Sequence, residues 1–397
     1  MTISIIHETK RNYQILGNEP VLLHCHHYNI SLQETILLPD YIDGYMIQYQ
    51  AAAETAKSLL TNTVTDASQA LMQAALLFRK MGLGNLDFSK INSDGGMVSM
   101  PEYHFDLGNK RKNISNSPAT FVLASGFIAG TLNFVYGKNY YVRIKTLEKP
   151  FRLECSVVND SNSGNDFVSE DFGGGYAAAN TSTFSANDDK ITEFFFNNLP
   201  QENENGIIDA FGVLLTYLPA SYYNKIAFRF EKEMEEAGGF EGLAEPLLIE
   251  AGHICGFNTL GRIMESSDWK SQIEPYLKTK TDWIKAIISA INAFGWGFWQ
   301  ITELSEDNNI TFRVYNSPEA SGYRQEFGIS KRPKCYMING VAAAIANLIF
   351  LGNIETNPLL NDNFYHQLFT HNRSFQCTEN HCLAAGDDFC EFNISRG

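Results

Sequence analysis

Ala293-Phe294-Gly295-Trp296-Gly297-Phe298-Trp299-Gln300-Ile301-Thr302-Glu303 is where one periodicity stops and another starts. Upstream, Trp283, Ile284, Ile287, Ile288 and Ile291 recur at helical spacing, with Thr281-Asp282 expected as the cap. Two glycines end that run. From Phe298 the chain alternates as a strand does, which predicts that Phe298 and Gln300 face away from Trp299. Glu306-Asp307-Asn308-Asn309 supplies a turn, and Ile310-Thr-Phe-Arg-Val-Tyr315 reads as the returning strand. Met337–Leu351, rich in alanine, then reads as a helix able to lie close on a sheet.

The same order occurs earlier in the chain. Lys80-Met81-Gly82-Leu83-Gly84 matches Ala293–Gly297, Ser99-Met100-Pro101-Glu102 matches Asn316-Ser317-Pro318-Glu319, and Thr120-Phe121 to Gly137 matches Cys335-Tyr336 to Gly352 without a gap. A fourth pair aligns Glu19-Pro20…His24-Cys25-His26-His27-Tyr28-Asn29 with Glu245-Pro246…His253-Ile254-Cys255-Gly256-Phe257-Asn258, both reading His-x-(His/Cys)-x-aromatic-Asn. Matches in one order predict an internal duplication. The expected fold is α+β: two related lobes, each an antiparallel sheet packed with helices, forming an intrachain pseudo-dimer. The expected lobes are 1–158 and 241–397. Between them, 159–240 reads as a linker or lid followed by an ordered connecting segment, because 159–190 is rich in Asn, Ser, Gly and Asp.

With 397 residues, 44% of them hydrophobic, the chain can build substantial cores. A net charge of −15 argues against a nucleic-acid partner, since phosphate binding needs clustered Lys and Arg. No run approaches the length needed to cross a bilayer and the start has no signal-peptide pattern, so a cytoplasmic protein with no membrane partner is expected. Four of the seven cysteines lie in the last 63 residues. That clustering favours metal binding or reactive thiols over disulfides. No P-loop, Rossmann fingerprint or nucleophile elbow is present.

The helix-Gly-Trp-Gly-strand, Asn-Ser-Pro-Glu-Ala, Cys-Tyr and Glu379-x-x-Cys382-x7-Cys390-x-Phe392 patterns together resemble the 4-vinyl reductase domain family. That family includes the sensor domains of aromatic-responsive bacterial activators and is similar in fold to TRAPP-complex subunits. The likeness is best over 241–397, with 1–158 as a degenerate copy. It implies a structural Zn²⁺ held by Cys335, Glu379, Cys382 and Cys390. The spacing departs from the family: about 40 residues separate Cys335 from Glu379, nearly twice the family's distance. Cys377 and His381 are therefore rivals for a coordination position. Thr120 stands where Cys335 does, so no metal is expected in the first copy.

The resemblance also implies an apolar cavity, for which Trp296, Trp299, Tyr315, Glu319 and Tyr336 are the expected lining, with Glu102 and His104 in the first copy. The occupant would be a small apolar or aromatic molecule. As an alternative, His24, His26, His253 and Cys255 could meet across the pseudo-two-fold as a catalytic group or hold a second metal such as iron; imidazole titrates near neutrality when unperturbed. The same segments also fit a plain folding motif in which His and Asn bond backbone. Binder, metal- or His-dependent enzyme of specialised or tetrapyrrole metabolism, and scaffold remain open on sequence alone, as does a homodimer.

Overall fold

The computed structural model describes residues 3–8, 12–64, 69–158, 189–238, 242–305, 309–370 and 373–397. The 159–188 stretch and most of the 306–309 turn lie outside them. The chain opens with β1 (Ile6–Glu8), β2 (Tyr13–Leu16) and β3 (Glu19–Cys25), then α1 (His26–Leu37), α2 (Gly44–Thr63) and α3 (Ala70–Lys80). Two hairpins follow, β4 (Asp87–Asn92) with β5 (Gly95–Met100) and β6 (Tyr140–Thr146) with β7 (Phe151–Val157). Between them lie α4 (His104–Arg111) and α5 (Val122–Tyr136).

After α6 (Asp189–Asn197) the order recurs. It runs β8 (Ile208–Ala210), β9 (Val213–Pro219), α7 (Ala220–Glu236), α8 (Ala244–Cys255), α9 (Gly261–Glu265), α10 (Ser267–Gln272) and α11 (Lys280–Ile291). Then come β10 (Phe298–Leu304), β11 (Ile310–Tyr315), α12 (Pro318–Phe327), α13 (Tyr336–Ala346), α14 (Asp362–Phe369), β12 (Phe375–His381) and β13 (Cys390–Arg396). Each lobe has a four-stranded antiparallel sheet of the same topology, β4-β5-β7-β6 and β10-β11-β13-β12. A third sheet, β1-β2-β3-β9-β8, joins them. The fold is α+β, with antiparallel sheets packed against helices.

The joining sheet is the unforeseen element. Its central pair is antiparallel, with Leu23 opposite Tyr217 and Cys25 opposite Leu215, and every residue of β3 and β9 is buried. The two hairpins are exchanged between lobes. Leu23 N donates to Phe294 O (3.2 Å) of the second lobe, and Tyr217 N donates to Met81 O (3.0 Å) of the first. The Gly-x-Gly breaks explain why: Gly82, Gly84, Gly295 and Gly297 all have positive φ. A Cβ on Gly295 would lie 2.5 Å from Val21 O, and one on Gly82 would lie 2.9 Å from Leu215 O. Only glycine permits both the turn and the contact.

The structure corrects three expectations. Glu19–Cys25 is a strand whereas Glu245–Cys255 lies in a helix, so these segments are not counterparts. Pro246 sits near the start of α8, where its missing N–H costs nothing. Counted from the ends of the central strands at Cys25 and Pro219, Tyr28 and Asn29 of α1 correspond to Tyr222 and Tyr223 of α7. The cap of α11 is Thr279, in a capping box with Asp282, and not Thr281. Finally, Pro118–Tyr136 does have the length and mean hydropathy (1.5) of a spanning segment, but 72% of that window is buried inside the protein. It is a core helix, packed on α2.

That packing is close. A Cβ on Gly130 would lie 2.1 Å from Ala53 O, and in the second lobe one on Gly340 would lie 2.2 Å from Ile249 O of α8. Gly130→Ala and Gly340→Ala should each lower stability by about 1–3 kcal/mol through overpacking, read as a lower urea midpoint. An unchanged midpoint in either would contradict the backbone contact in that lobe.

Candidate metal centre and the buried junction between the lobes

Cys335 ends the loop into α13, Glu379 lies in β12 just before a bulge, Cys382 follows that strand, and Cys390 opens β13. Their donor atoms all lie within 4.8 Å of one another. Cys335 Sγ is 3.4 Å from Cys390 Sγ. Thiolates about 2.3 Å from a tetrahedral zinc stand ~3.8 Å apart, so the sulfurs are close to that spacing. Glu379 Oε2 accepts from Cys335 N (3.0 Å), whereas its Oε1 is buried without a partner. A buried carboxylate oxygen with nothing to bind, set among three thiols, fits a cation.

The surroundings hold the donors in place. Leu383 N donates to Cys390 Sγ (3.3 Å), and Cys382 N to Asp387 Oδ2 (2.8 Å). Hydrogen bonds from Cys335 and Cys390 hold the Cys382 thiol well below its ordinary range. Burial pushes Cys335, Cys390 and Glu379 up. Concentrating this much latent negative charge without a cation is costly.

The extra chain between Cys335 and Glu379 folds outward. It carries α14, whose Phe364, Tyr365 and Phe369 pack on Phe257, and leaves Cys335 in place. Cys377 and His381 are not in the four-donor group; His381 is half-exposed, 3.4 Å from Asp387.

His24 and Cys255 do meet, across the lobes: His24 Nδ1 is 3.3 Å from Cys255 Sγ. His24 Nε2 is buried with no partner, and its ring is enclosed by Tyr28, Tyr223 and Trp296 at centroid distances of 4.3, 4.8 and 5.1 Å. Burial lowers His24 to about 3 and raises Cys255 well above its usual value, so both are neutral near pH 7. The other two residues go elsewhere. His26 Nδ1 accepts from Leu214 N (3.2 Å), and His253 lies beside Glu250 (3.6 Å) and Phe369.

The expected cavity residues are dispersed. Trp296 and Trp299 are fully buried, donating to Leu23 O (3.2 Å) and Trp296 O (3.1 Å); Phe298 and Gln300 are half-buried, as alternation predicts. Glu319 accepts from Met337 N (2.8 Å) and Ile338 N (3.0 Å), and burial raises it to about 8. Tyr336 donates to Glu231 (2.7 Å), which also pairs with buried Lys334 (2.7 Å). Tyr315 packs on Phe389, Glu102 pairs with Lys149, and His104 bonds Asn29 (3.1 Å). Among the described residues, an open cleft of about 520 Å³ lies beside Lys270, Lys278 and Trp283, and one of about 440 Å³ is lined by Glu102, Arg111 and Leu214, so of the expected cavity residues Glu102 borders a cleft.

Sequence reasoning singled out Asn29 in a folding motif but missed its side-chain partners Tyr223 and Thr216. Asn29 donates to Thr216 Oγ1 (2.9 Å) and accepts from Tyr223 (2.7 Å), tying α1 to β9 and α7. No local signal in the sequence links them to Asn29, since the contacts span 187 and 194 residues.

No family model and no curated protein matches the chain. Among solved structures it is similar to the phenol-responsive sensory domain of the transcription activator PoxR, solved with phenol. That likeness has TM-score 0.39 and 15% identity, over 54% of this chain and 92% of that one. It is also similar to an H-NOX protein from S. oneidensis, with TM-score 0.26 and 12% identity, over 52% and 88%. Both are partial likenesses at low identity.

The buried histidines set a pH dependence. Burial lowers His24 and His104 to about 3, His26 to about 2 and His27 to about 4. The unfolded chain protonates them below pH ~6.5 while the folded chain does not, so it binds more protons and stability falls as pH drops through that window. Each contributes a slope of about 1.4 kcal/mol per pH unit between its two pKa values. Denaturant unfolding from pH 7 to 4.5 should show this steep loss, and His24→Phe should flatten it. A pH-independent midpoint would contradict neutral, buried imidazoles.

Proposed function

We propose that the chain is a tandem 4-vinyl reductase-like protein, its lobes related by duplication, that binds a small apolar or aromatic molecule and is stapled by a structural Zn²⁺. The convergence of Cys335, Glu379, Cys382 and Cys390 carries the zinc reading. Three thiolates and one carboxylate fill a tetrahedral shell, leaving no position for substrate. Zinc there supplies folding free energy, roughly 10–16 kcal/mol in small modules.

The ligand reading is supported by the junction. His24 Nε2 is a buried polar atom with no partner, ringed by Tyr28, Tyr223 and Trp296. An aromatic ligand with one hydroxyl would satisfy it, as apolar sites with a single oriented polar group do. Burial favours binding over catalysis: an imidazole held near 3 is a poor general base at neutral pH. The domain division that follows takes 13–158 and 208–397 as the two copies, each opening with its hairpin and helix.

Untreated protein should carry about one zinc per chain by native mass spectrometry, and Cys382→Ser should lose both metal and several degrees of melting temperature. Metal-free, fully folded wild type would sink the zinc reading. Separately, a panel of small phenols and alkylbenzenes should raise the melting temperature of wild type but not of His24→Phe. Zinc-loaded protein that no member of the panel stabilises would remove the ligand reading and leave the zinc intact.

A further inference from the structure

Ser317 stands between β11 and α12, where the chain is held from both sides. Asn316, in the left-handed region (φ 55°), turns the backbone there, and its carbonyl accepts from the Tyr13 hydroxyl (2.8 Å) of β2. The Pro318 carbonyl accepts from Asn224 Nδ2 (3.0 Å) of α7. Between these fixed neighbours Ser317 is 0% exposed. Its hydroxyl oxygen accepts from Ala320 N (3.3 Å), capping α12, and lies 3.1 Å from Cys335 Sγ.

The direction of the contact with sulfur follows from counting protons. A serine hydroxyl has one proton and two lone pairs. The Ala320 N–H occupies a lone pair, which leaves the proton for sulfur. A Cys335 that ligates a metal is a thiolate and has no proton to give, so Ser317 is the donor. The other two sulfurs draw on the main chain, Cys390 on Leu383 N (3.3 Å) and Cys382 on the Lys334 backbone. Four anionic donors around one dication leave excess negative charge in a buried place, and each N–H or O–H aimed at sulfur offsets part of it.

The same helix holds the Cys335 segment by a second arm. Glu319 accepts from Met337 N (2.8 Å) and Ile338 N (3.0 Å), first-turn amides of α13 just beyond Cys335. Sulfur and backbone are thus both fixed from the first turn of α12. The matching stretches of the first lobe read Ser99-Met100-Pro101-Glu102 and Thr120-Phe121, with a thioether in the serine's place and a hydroxyl in the cysteine's. Donor and thiolate are missing there together.

We propose that Ser317 is a positioning residue of the metal centre, its hydroxyl orienting the Cys335 thiolate and taking up part of its charge. The inference rests on the zinc reading of that site and adds to it a side chain that is not itself a ligand.

The test measures zinc affinity of the full chain by competition with a chromogenic chelator, for wild type, Ser317→Ala and Ser317→Gly. The optical spectrum of each is then taken with Co²⁺ in place of zinc. Losing an outer partner of a ligand weakens metal binding by about 10–100-fold, which is expected of both variants. Glycine is tolerated at a helix N-cap, so Ser317→Gly separates the sulfur contact from the cap. Without the O–H the sulfur lone pair rises in energy, and the thiolate-to-cobalt charge-transfer band should move to longer wavelength. Asn361→Ala, which removes the side-chain cap of α14, should lower the melting temperature and leave affinity and band alone. Wild type that takes up no zinc overturns the zinc reading and this inference together. Zinc-binding wild type with affinity unchanged in both Ser317 variants overturns the role of Ser317 alone. So does weaker binding with the band unmoved, or moved equally in Asn361→Ala.

Discussion

The antiparallel pairing of β3 with β9 is the constraint on which the rest of the molecule depends. Both strands are wholly buried, so their register cannot slip without turning core residues outward. Each strand docks on the Gly-x-Gly break of the other lobe through one backbone hydrogen bond, Leu23 to Phe294 and Tyr217 to Met81. Neither lobe can therefore complete its core alone. Charge reinforces the exchange: Glu54 of α2 takes both Lys225 and Arg229 of α7, and Arg229 reaches on to Glu326 of α12.

Within that shared frame the lobes differ in how they fix the entry to their long central helix. In the second lobe Cys335 stands there, among thiols and a carboxylate. In the first, Thr120 accepts from Asn109 Nδ2 (3.2 Å), inside a capping box with Ser117. Neighbouring Asn116 and Lys110 satisfy buried Asp106. Hydrogen bonds and an ion pair fix the entry in one lobe, where the other brings four potential metal donors together. A group of donors able to hold a metal is found, among the described residues, at this entry in one lobe only, while burial keeps the junction polar groups, His24 and Cys255, neutral.

Much of the fold was legible in sequence because its strongest signals are local. The helical stripe ending at Ile291, the glycines at 82, 84, 295 and 297, and the alternation from Phe298 all report backbone geometry directly. The four donors were legible too, since their spacing survives the outward-folded α14. What failed was long-range. Glu19–Cys25 and Glu245–Cys255 share letters but not conformation, and nothing local told a buried strand from the start of a helix. The hairpin exchange was invisible for the same reason: it is decided by which surface Val21 and Leu215 cover. Likewise the aromatic residues expected in one cavity pack separately, Trp296 on His24, Trp299 on Phe312 and Tyr336 near Phe228, because apolar side chains advertise burial without saying where.

The proposed zinc would close the second lobe with three sulfurs and one oxygen. X-ray absorption at the zinc edge on untreated protein addresses it most directly. A shell of three sulfurs near ~2.3 Å and one oxygen near ~2.0–2.2 Å is the predicted result. A shell made of nitrogen and oxygen alone, or protein that folds fully with no zinc to observe, would contradict it.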